Sequence, residues 1–442
     1  MMDMKQIRAK AEQFQAAADG KKIKLSIAGL LETDERRREL AERSETLRAR
    51  RNRFSEEIGA CLAAGDKAEA DRRKEAIRTE KAELATVETE LADVNRRYRE
   101  LMDRVPNLVS ADTPYGKSDA DNVEIAVVGE LPAFDFEPRD HVELGDLHAL
   151  FDMERGVKVA GTRSYFLTGD GLRLQRAVQQ LALDLLEERG FTGMDVPLMV
   201  RTKAMRDTGF FPTGQDQAYK IEGQDAWLVG TSEVPLIAYF ADEILDVEQP
   251  IRVAGISTCF RSEVGSAGRD TRGLYRVHQF AKVEQIVICR GEETEAERLL
   301  QDITRNAEDL LRLLELPYRK VAVCIGDMSQ KNYKQYDIET WMPSRGAYGE
   351  THSASNVGDF QARRAGLRYR GEDGKLHYCH TLNNTAAAVP RLLIPLLENH
   401  QRADGSIYLP PALRPYMGGR ECLAAPAPAL PNPMTKNVEN QS

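Results

Sequence analysis

Between Asp34 and Arg104, apolar residues return every three to four positions against dense charge of both signs. In the second half of this stretch they are Ile77, Leu84, Val87, Leu91, Val94, Tyr98 and Leu101. In the first half they are Leu40, Leu47, Phe54, Ile58 and Cys61, with Arg51 interrupting the seam. The stretch holds no proline, and its only glycines are Gly59 and Gly65. A narrow heptad stripe of this kind predicts a coiled coil. "AAGDKAEA" (63–70) breaks the stripe with a turn. The expectation is two antiparallel helices, each on the order of 40 Å long at about 1.5 Å per residue. On pattern alone, an oligomerisation hairpin and a specific binding arm account for it equally well.

Beyond residue 104 the pattern changes. "VPNLVSADTPYGKSDADNVEI" carries the Pro, Gly, Asn and Asp of a linker. "LQRAVQQLALDLLEERG" reads as an amphipathic helix stopped by Gly190. "IRVAGISTCFR", "QFAKVEQIVICR" and "RKVAVCIGDM" are short alternating runs, which predict half-covered antiparallel strands rather than a buried parallel sheet. The last residues, "CLAAPAPALPNPMTKNVENQS", have the composition of a disordered tail. The division expected is an N-terminal domain over 1–110 with its arm at about 34–104, a linker over 111–140, a mixed domain over 141–420 and a tail over 421–442. The fold class is α+β: an antiparallel sheet flanked by helices, with a helical arm before it.

Composition narrows the function classes. The 442 residues are 42% apolar and 30% charged, with a net charge of −9. The negative balance argues against wholesale coating by nucleic acid but leaves room for a local basic surface. No apolar run reaches membrane-spanning length, and "MMDMKQIRAK" has no apolar signal core. No membrane partner is expected. Six scattered cysteines form no CxxC and no zinc spacing, as suits a reducing cytoplasm. Neither GxGxxG nor GxxxxGK[ST] occurs, which disfavours a Rossmann or P-loop nucleotide site.

The densest chemistry lies in "FRSEVGSAGRDTRGLYRVHQF" (260–280). In an extended strand Arg261 and Glu263 share a face, about 6.6 Å apart, and so do Phe280 and Glu284, about 13 Å apart. Between them runs a glycine-rich loop carrying Arg269 and Arg272. Guanidinium forks suit phosphate oxygens, an aromatic plate suits a base, and carboxylates suit an ammonium or an exocyclic amine. The set fits a nucleoside triphosphate and a zwitterion lying end to end. Taken singly, each Arg or Glu here is more simply a surface ion pair, and Phe280 a core aromatic.

In its motifs the chain resembles the class II aminoacyl-tRNA synthetases, and among them the seryl-tRNA synthetase family. The stretch above resembles motif 2. "GFTGMDVPLMV" resembles motif 1, with Pro197 at its proline, and "VGTSEVPL" resembles the family's TxE serine site. "HTLNNTAAAVPRLLIPLLENHQ" resembles motif 3, with Arg391 at its arginine, and residues 140–178 resemble the entry to the catalytic domain. The resemblance implies ATP, Mg²⁺ and L-serine as ligands, tRNA(Ser) and by extension tRNA(Sec) as partners, and a homodimer built on motif 1. It makes the helical hairpin the tRNA-binding arm. It implies that Arg261 bridges the α-phosphate and the substrate carboxylate, with Arg391 and Glu350 completing the catalytic set. The ATP site would comprise Arg261, Ser262, Glu263, Arg272, Phe280, Glu350, Thr351, His352, Ser353 and Arg391, with adenine between Phe280 and Arg391. Glu350 and Ser353 would hold the metal. Thr231, Ser232, Glu233, Arg261, Glu284 and Thr385 would form the serine pocket.

Three positions depart from the family's commonest pattern. Thr385 stands where Ser is frequent, His352 stands where many members have Ser, and Pro395 is expected to kink the motif 3 helix. Rival readings are a carrier-protein aminoacylating homologue, a paralogue serving resistance or biosynthesis, and a non-catalytic binding protein. The long arm disfavours the first. The intact set of Glu233, Arg261, Glu263, Glu284, Glu350 and Arg391 disfavours the last.

Overall fold

Ser26 accepts a hydrogen bond from the Gly29 N–H (3.1 Å) and starts helix α1, Ile27–Ala63. Gly65, with φ of 81°, turns the chain. Asp66 then caps helix α2, Lys67–Arg104, by accepting from the Glu69 N–H at 3.0 Å. At 37 and 38 residues the helices reach about 55 Å, longer than expected. The serine cap and the buried Ile27 and Leu30 extend α1 upstream of the heptad region. Leu40, Leu47, Leu84 and Val87 form the buried seam, with Leu91 and Val94 packed against it. Arg36–Glu90, Arg43–Glu83 and Arg48–Glu88 bridge the two helices at 2.7, 2.6 and 2.7 Å.

The computed structural model describes residues 1–264 and 272–425. Arg269 and most of the expected tail lie outside the described residues. By contacts the chain divides between Leu108 and Val109 into two units, each with its own interior.

The second unit is built on eight strands: β1 Val123–Val128, β2 Thr192–Asp195, β3 Ile251–Phe260, β4 Gln279–Cys289, β5 Tyr318–Ala322, β6 Lys334–Met342, β7 Ala347–Gly358 and β8 His380–Val389. Their order across the sheet is β1-β5-β6-β7-β8-β4-β3-β2. Every pairing is antiparallel except β2 with β3. Strand β1 lies within residues 111–140, read above as linker, and pairs with β5 on the sheet's edge. At the other end of the unit, Cys422–Leu423 pairs with Ile407–Tyr408, so the chain is still part of this domain where the tail was expected to begin.

The central strands are covered on both faces, not half-covered. Val283 and Val287 of β4 pack in the main core with Leu174, Val178 and Leu185 of helix α3 (Gly169–Glu188) and Leu299 and Ile303 of helix α4 (Glu293–Leu313). On the opposite face Ile286 and Ile288 pack under Leu236 and Ile237 of helix α5 (Glu233–Tyr239) and Ala362 and Ala365 of helix α6 (Phe360–Ala365). Pro395 produces no interior kink. Helix α7 runs only over Leu393–Asn399, so Pro395 falls in its first turn, where no N–H is required.

Candidate active site

On β4 the side chains of Phe280, Lys282 and Glu284 continue the face of Ile286 and Ile288, as the two-residue period requires. Helices cover the latter pair; the former three line a cleft of about 740 Å³, a size typical of ligand pockets. Arg261 and Glu263 also line it, though not as neighbours on a strand. Strand β3 ends at Phe260, and Glu263 sits at a positive φ of 53°. The Arg261 N–H donates to the His278 carbonyl (2.9 Å), and its Nε donates to Gly230 at 3.3 Å. The guanidinium stands 5.2 Å from the Phe280 ring centroid. Glu263 accepts from Arg276 at 2.8 Å.

Two bulges complete the lining. Glu350 and Ser353 are three residues apart and would point to opposite faces of a regular strand. The β6–β7 register skips one residue between the pairs Ile338–His352 and Glu339–Glu350, leaving Thr351 as the extra residue. Glu350, Ser353 and Ser355 then all face the cleft. The β8–β4 register likewise skips Ala386, so Asn383 and Thr385 before the bulge and Ala388 after it all reach the cleft, which Arg391 joins from beyond the end of β8 at Val389. His352 ties the two bulges together. Its Nε2–H donates to the carbonyl of Ala386 (3.1 Å), and its Nδ1 accepts from the Thr351 hydroxyl at 2.9 Å. Burial lowers its pKa to about 4, so the ring is neutral at pH 7.

The amino acids at one end of the cleft form a bonded cluster. Glu233 is held by Lys331, by Gln361 Nε2 (2.8 Å) and by Asn383 Nδ2 (2.9 Å). Glu284 pairs with Lys282, whose Nζ also donates to Thr231 Oγ1 at 2.8 Å. Burial pushes the Glu284 pKa up, and the adjacent Lys282 opposes that push. Thr385 pairs with Glu284 across β8 and β4. Elsewhere Arg391 donates from Nε to the Tyr275 carbonyl (3.1 Å) and from Nη1 to the Glu350 carbonyl (3.0 Å). Its guanidinium lies 4.5 Å over the Tyr275 ring.

Of the residues named from sequence, Thr231, Glu233, Arg261, Glu263, Phe280, Glu284, Glu350, Thr351, Ser353, Thr385 and Arg391 border the cleft. Four do not. Ser232 is buried, with Oγ donating to Gly255 O. Ser262 turns away to Asp216 O at 2.6 Å. His352 occupies the opposite face of β7, and Arg272 is paired with Asp140. Sequence reasoning missed Lys282, Arg276, Asn383 and Lys331. Lys282 was findable, because it stands midway between Phe280 and Glu284 on one strand face. Lys331 lies in the turn before β6, where no periodicity points to the cleft.

A cleft that combines three guanidinium groups, an aromatic plate and a cluster of buried carboxylates can seat a polyanion beside a zwitterion. This antiparallel sheet with this cleft is the catalytic core of a class II aminoacyl-tRNA synthetase, and residues 219–400 match the family model "tRNA synthetase class II core domain (G, H, P, S and T)". Residues 1–109 match "Seryl-tRNA synthetase N-terminal domain". The chain belongs to the seryl-tRNA synthetase family. It is 45% identical to the serine–tRNA ligase of Deinococcus radiodurans, over 96% of this chain and 100% of that one. It is 41% identical to that of Rubrobacter xylanophilus, over 95% and 98%. Among solved structures, the seryl-tRNA synthetase of Pyrococcus horikoshii complexed with ATP matches with a TM-score of 0.86 at 35% identity, covering 97% of this chain and 100% of that one. The cytoplasmic serine–tRNA ligase of Naegleria fowleri in complex with AMP matches with a TM-score of 0.79 at 27% identity, covering 93% and 96%.

Proposed function

We propose that this chain is a serine–tRNA ligase. It activates L-serine with ATP to seryl-adenylate and pyrophosphate, then transfers the seryl group to the 3'-terminal adenosine of tRNA(Ser), releasing AMP. The observation that carries the reading is the meeting of Arg261, Phe280 and Arg391 with the carboxylates of Glu233 and Glu284 in one cleft. The serine carboxylate attacks the α-phosphorus already ionised, so no general base is needed. The demand is to bring two anions together and stabilise the charge that develops, which preorganised cations do. Arg261 bridges the α-phosphate and the serine carboxylate. Adenine lies between Phe280 and Arg391, with Glu263 accepting from its amino group. Thr231 and Glu233 take the substrate ammonium, while Glu284 and Thr385 take its hydroxyl.

Mg²⁺ fits beside Glu350 and Ser353. The buried Asp337 behind them has its pKa raised by desolvation and then by the charge of Glu350, and a cation relieves that repulsion. Two protein oxygens suit a magnesium ion that completes its shell with water and phosphate oxygens, where it would neutralise phosphate charge. The arm engages tRNA, tRNA(Sec) is a second acceptor, and two chains pair through motif 1, whose resemblance at 190–200 supports the dimer. The protein acts in the cytoplasm. The deciding experiment is ATP–pyrophosphate exchange with each of the twenty amino acids. Exchange with serine no faster than with alanine overturns the reading.

A further inference from the structure

We infer that Lys331 is a built-in competitor of the substrate ammonium at Glu233 and sets the affinity and selectivity of the amino-acid subsite. The inference rests on the reading of Glu233 as the ammonium acceptor. The Glu233 side chain is 6% exposed and that of Lys331 15%. The ammonium of Lys331 sits on both carboxylate oxygens. Oε1 also accepts from Gln361 and Asn383. A carboxylate offers about four lone-pair sites, all in the plane of its oxygens. Three donors already crowd Oε1, so an incoming ammonium has only the outer side of Oε2, with a like charge beside it. Such a contact in a half-screened site opposes binding.

Two features make this a competition rather than a permanent block. Lysine carries its point charge on a flexible four-carbon stem, and Lys331 stands in the turn before β6 rather than on a sheet strand. The ammonium can withdraw from Glu233 as serine enters. A pocket whose carboxylate is already neutralised also loses selectivity. Replacing the α-amine of serine by a hydroxyl, as in glycerate, leaves no bare buried carboxylate behind, so the analogue is rejected less strongly.

The test uses the full chain in ATP–pyrophosphate exchange at saturating ATP, with Lys331→Met keeping the apolar stem and Lys331→Arg keeping the charge. Lys331→Met is expected to lower the serine KM on the order of tenfold, the scale of one like-charge contact, without moving the KM for ATP. Glycerate binding, measured by calorimetry, is expected to weaken relative to serine. Lys331→Arg keeps the charge on Glu233 and is expected not to lower the serine KM. An unchanged or higher serine KM in Lys331→Met overturns the inference and makes the lysine a support for Glu233. Should Lys331→Met not fold, Lys331→Gln gives the same reading. Glu233→Gln separates this from the underlying assignment. If it leaves the serine KM unmoved, Glu233 does not hold the ammonium. If it raises KM while Lys331→Met fails to lower it, only the competition is wrong.

Discussion

At the scale of single residues, position and charge make separable predictions. Arg261 is held at its backbone by His278 and at Nε by Gly230, so its guanidinium is presented to the cleft ready-made. One preorganised donor of this kind stabilises a transition state by roughly 3–4 kcal/mol, or about 10²–10³ in rate. Arg261→Lys keeps the charge but loses the fork. It is expected to lose activity nearly as fully as Arg261→Ala, with Tm little changed. A lysine variant with near-parent kcat would rule out the two-anion bridge. Lys21 makes a different point. It is buried in the N-terminal unit, and its Nζ donates to the Asn107 carbonyl at 3.1 Å. Burial lowers its pKa from 10.5 to about 7. Between those values the unfolded chain binds a proton that the folded chain does not, so this residue makes stability rise with pH, by up to about 1.4 kcal/mol per pH unit. Below about pH 7 both states are protonated and the slope vanishes. Melting the parent and Lys21→Met from pH 7 to 10 is expected to shift the difference in favour of the parent. A constant difference would contradict the burial effect.

At the scale of elements, the two bulges decide the site. Without the bulge at Thr351, Glu350 and Ser353, three residues apart, would not share a face. Without the one at Ala386, Thr385 and Ala388, three residues apart, would belong to different sides of the sheet. His352 bonds one bulge to the other, a role in architecture rather than in ligand contact. His352→Leu leaves the buried Ala386 carbonyl short of a donor, which costs about 1–3 kcal/mol. His352→Gln keeps an N–H within reach and is expected to lose less. Equal melting temperatures for the two variants would show that the hydrogen bond to the Ala386 carbonyl adds nothing to stability. The arm is the other element with its own prediction. Leu47 and Leu84 share its buried seam, so joining the helices by a short turn near these residues removes the outer half while keeping the inner packing. Serine-dependent exchange is expected to remain near parent values while tRNA charging falls sharply. Collapse of exchange in a folded, shortened protein would show that the arm takes part in adenylation.

At the scale of the whole molecule, the proposed division of labour predicts how conditions act. Charging depends on contacts with tRNA phosphates, which release counterions, and is expected to weaken steeply with salt. Exchange takes place in a cleft lined by paired charges and is expected to weaken less. Parallel salt titrations of the two assays check this, and identical slopes would contradict it. A pocket that bonds the serine hydroxyl through Glu284 and Thr385 is expected to reject alanine by about 10⁴ in kcat/KM, since buried polar groups are then left unpaired.

The sequence by itself determined whatever repeats or matches a local pattern. The heptad seam of the arm, the extended stretches at β3 and β4, and the short motifs whose resemblance to a known family assigns Arg261, Glu233 and Arg391 to one site are all legible because each is read from neighbours along the chain. Even the stop of α3 at Gly190 follows from a backbone position, at φ of 79°, that glycine adopts without strain. Tertiary structure alone decided the rest. The edge strand β1 looked like linker because its pairing partner, β5, lies some two hundred residues away. The bulges are invisible in one strand's residues, since a bulge is a count of two against one across a ladder. Lys331 meets Glu233 because a turn before β6 comes to rest over α5, a contact between segments 98 residues apart. The same holds for His352, whose burial on the far face of β7 follows from which side the bulge turns. Local chemistry names the residues a reaction needs, and the packing of distant segments decides which of them face the substrate.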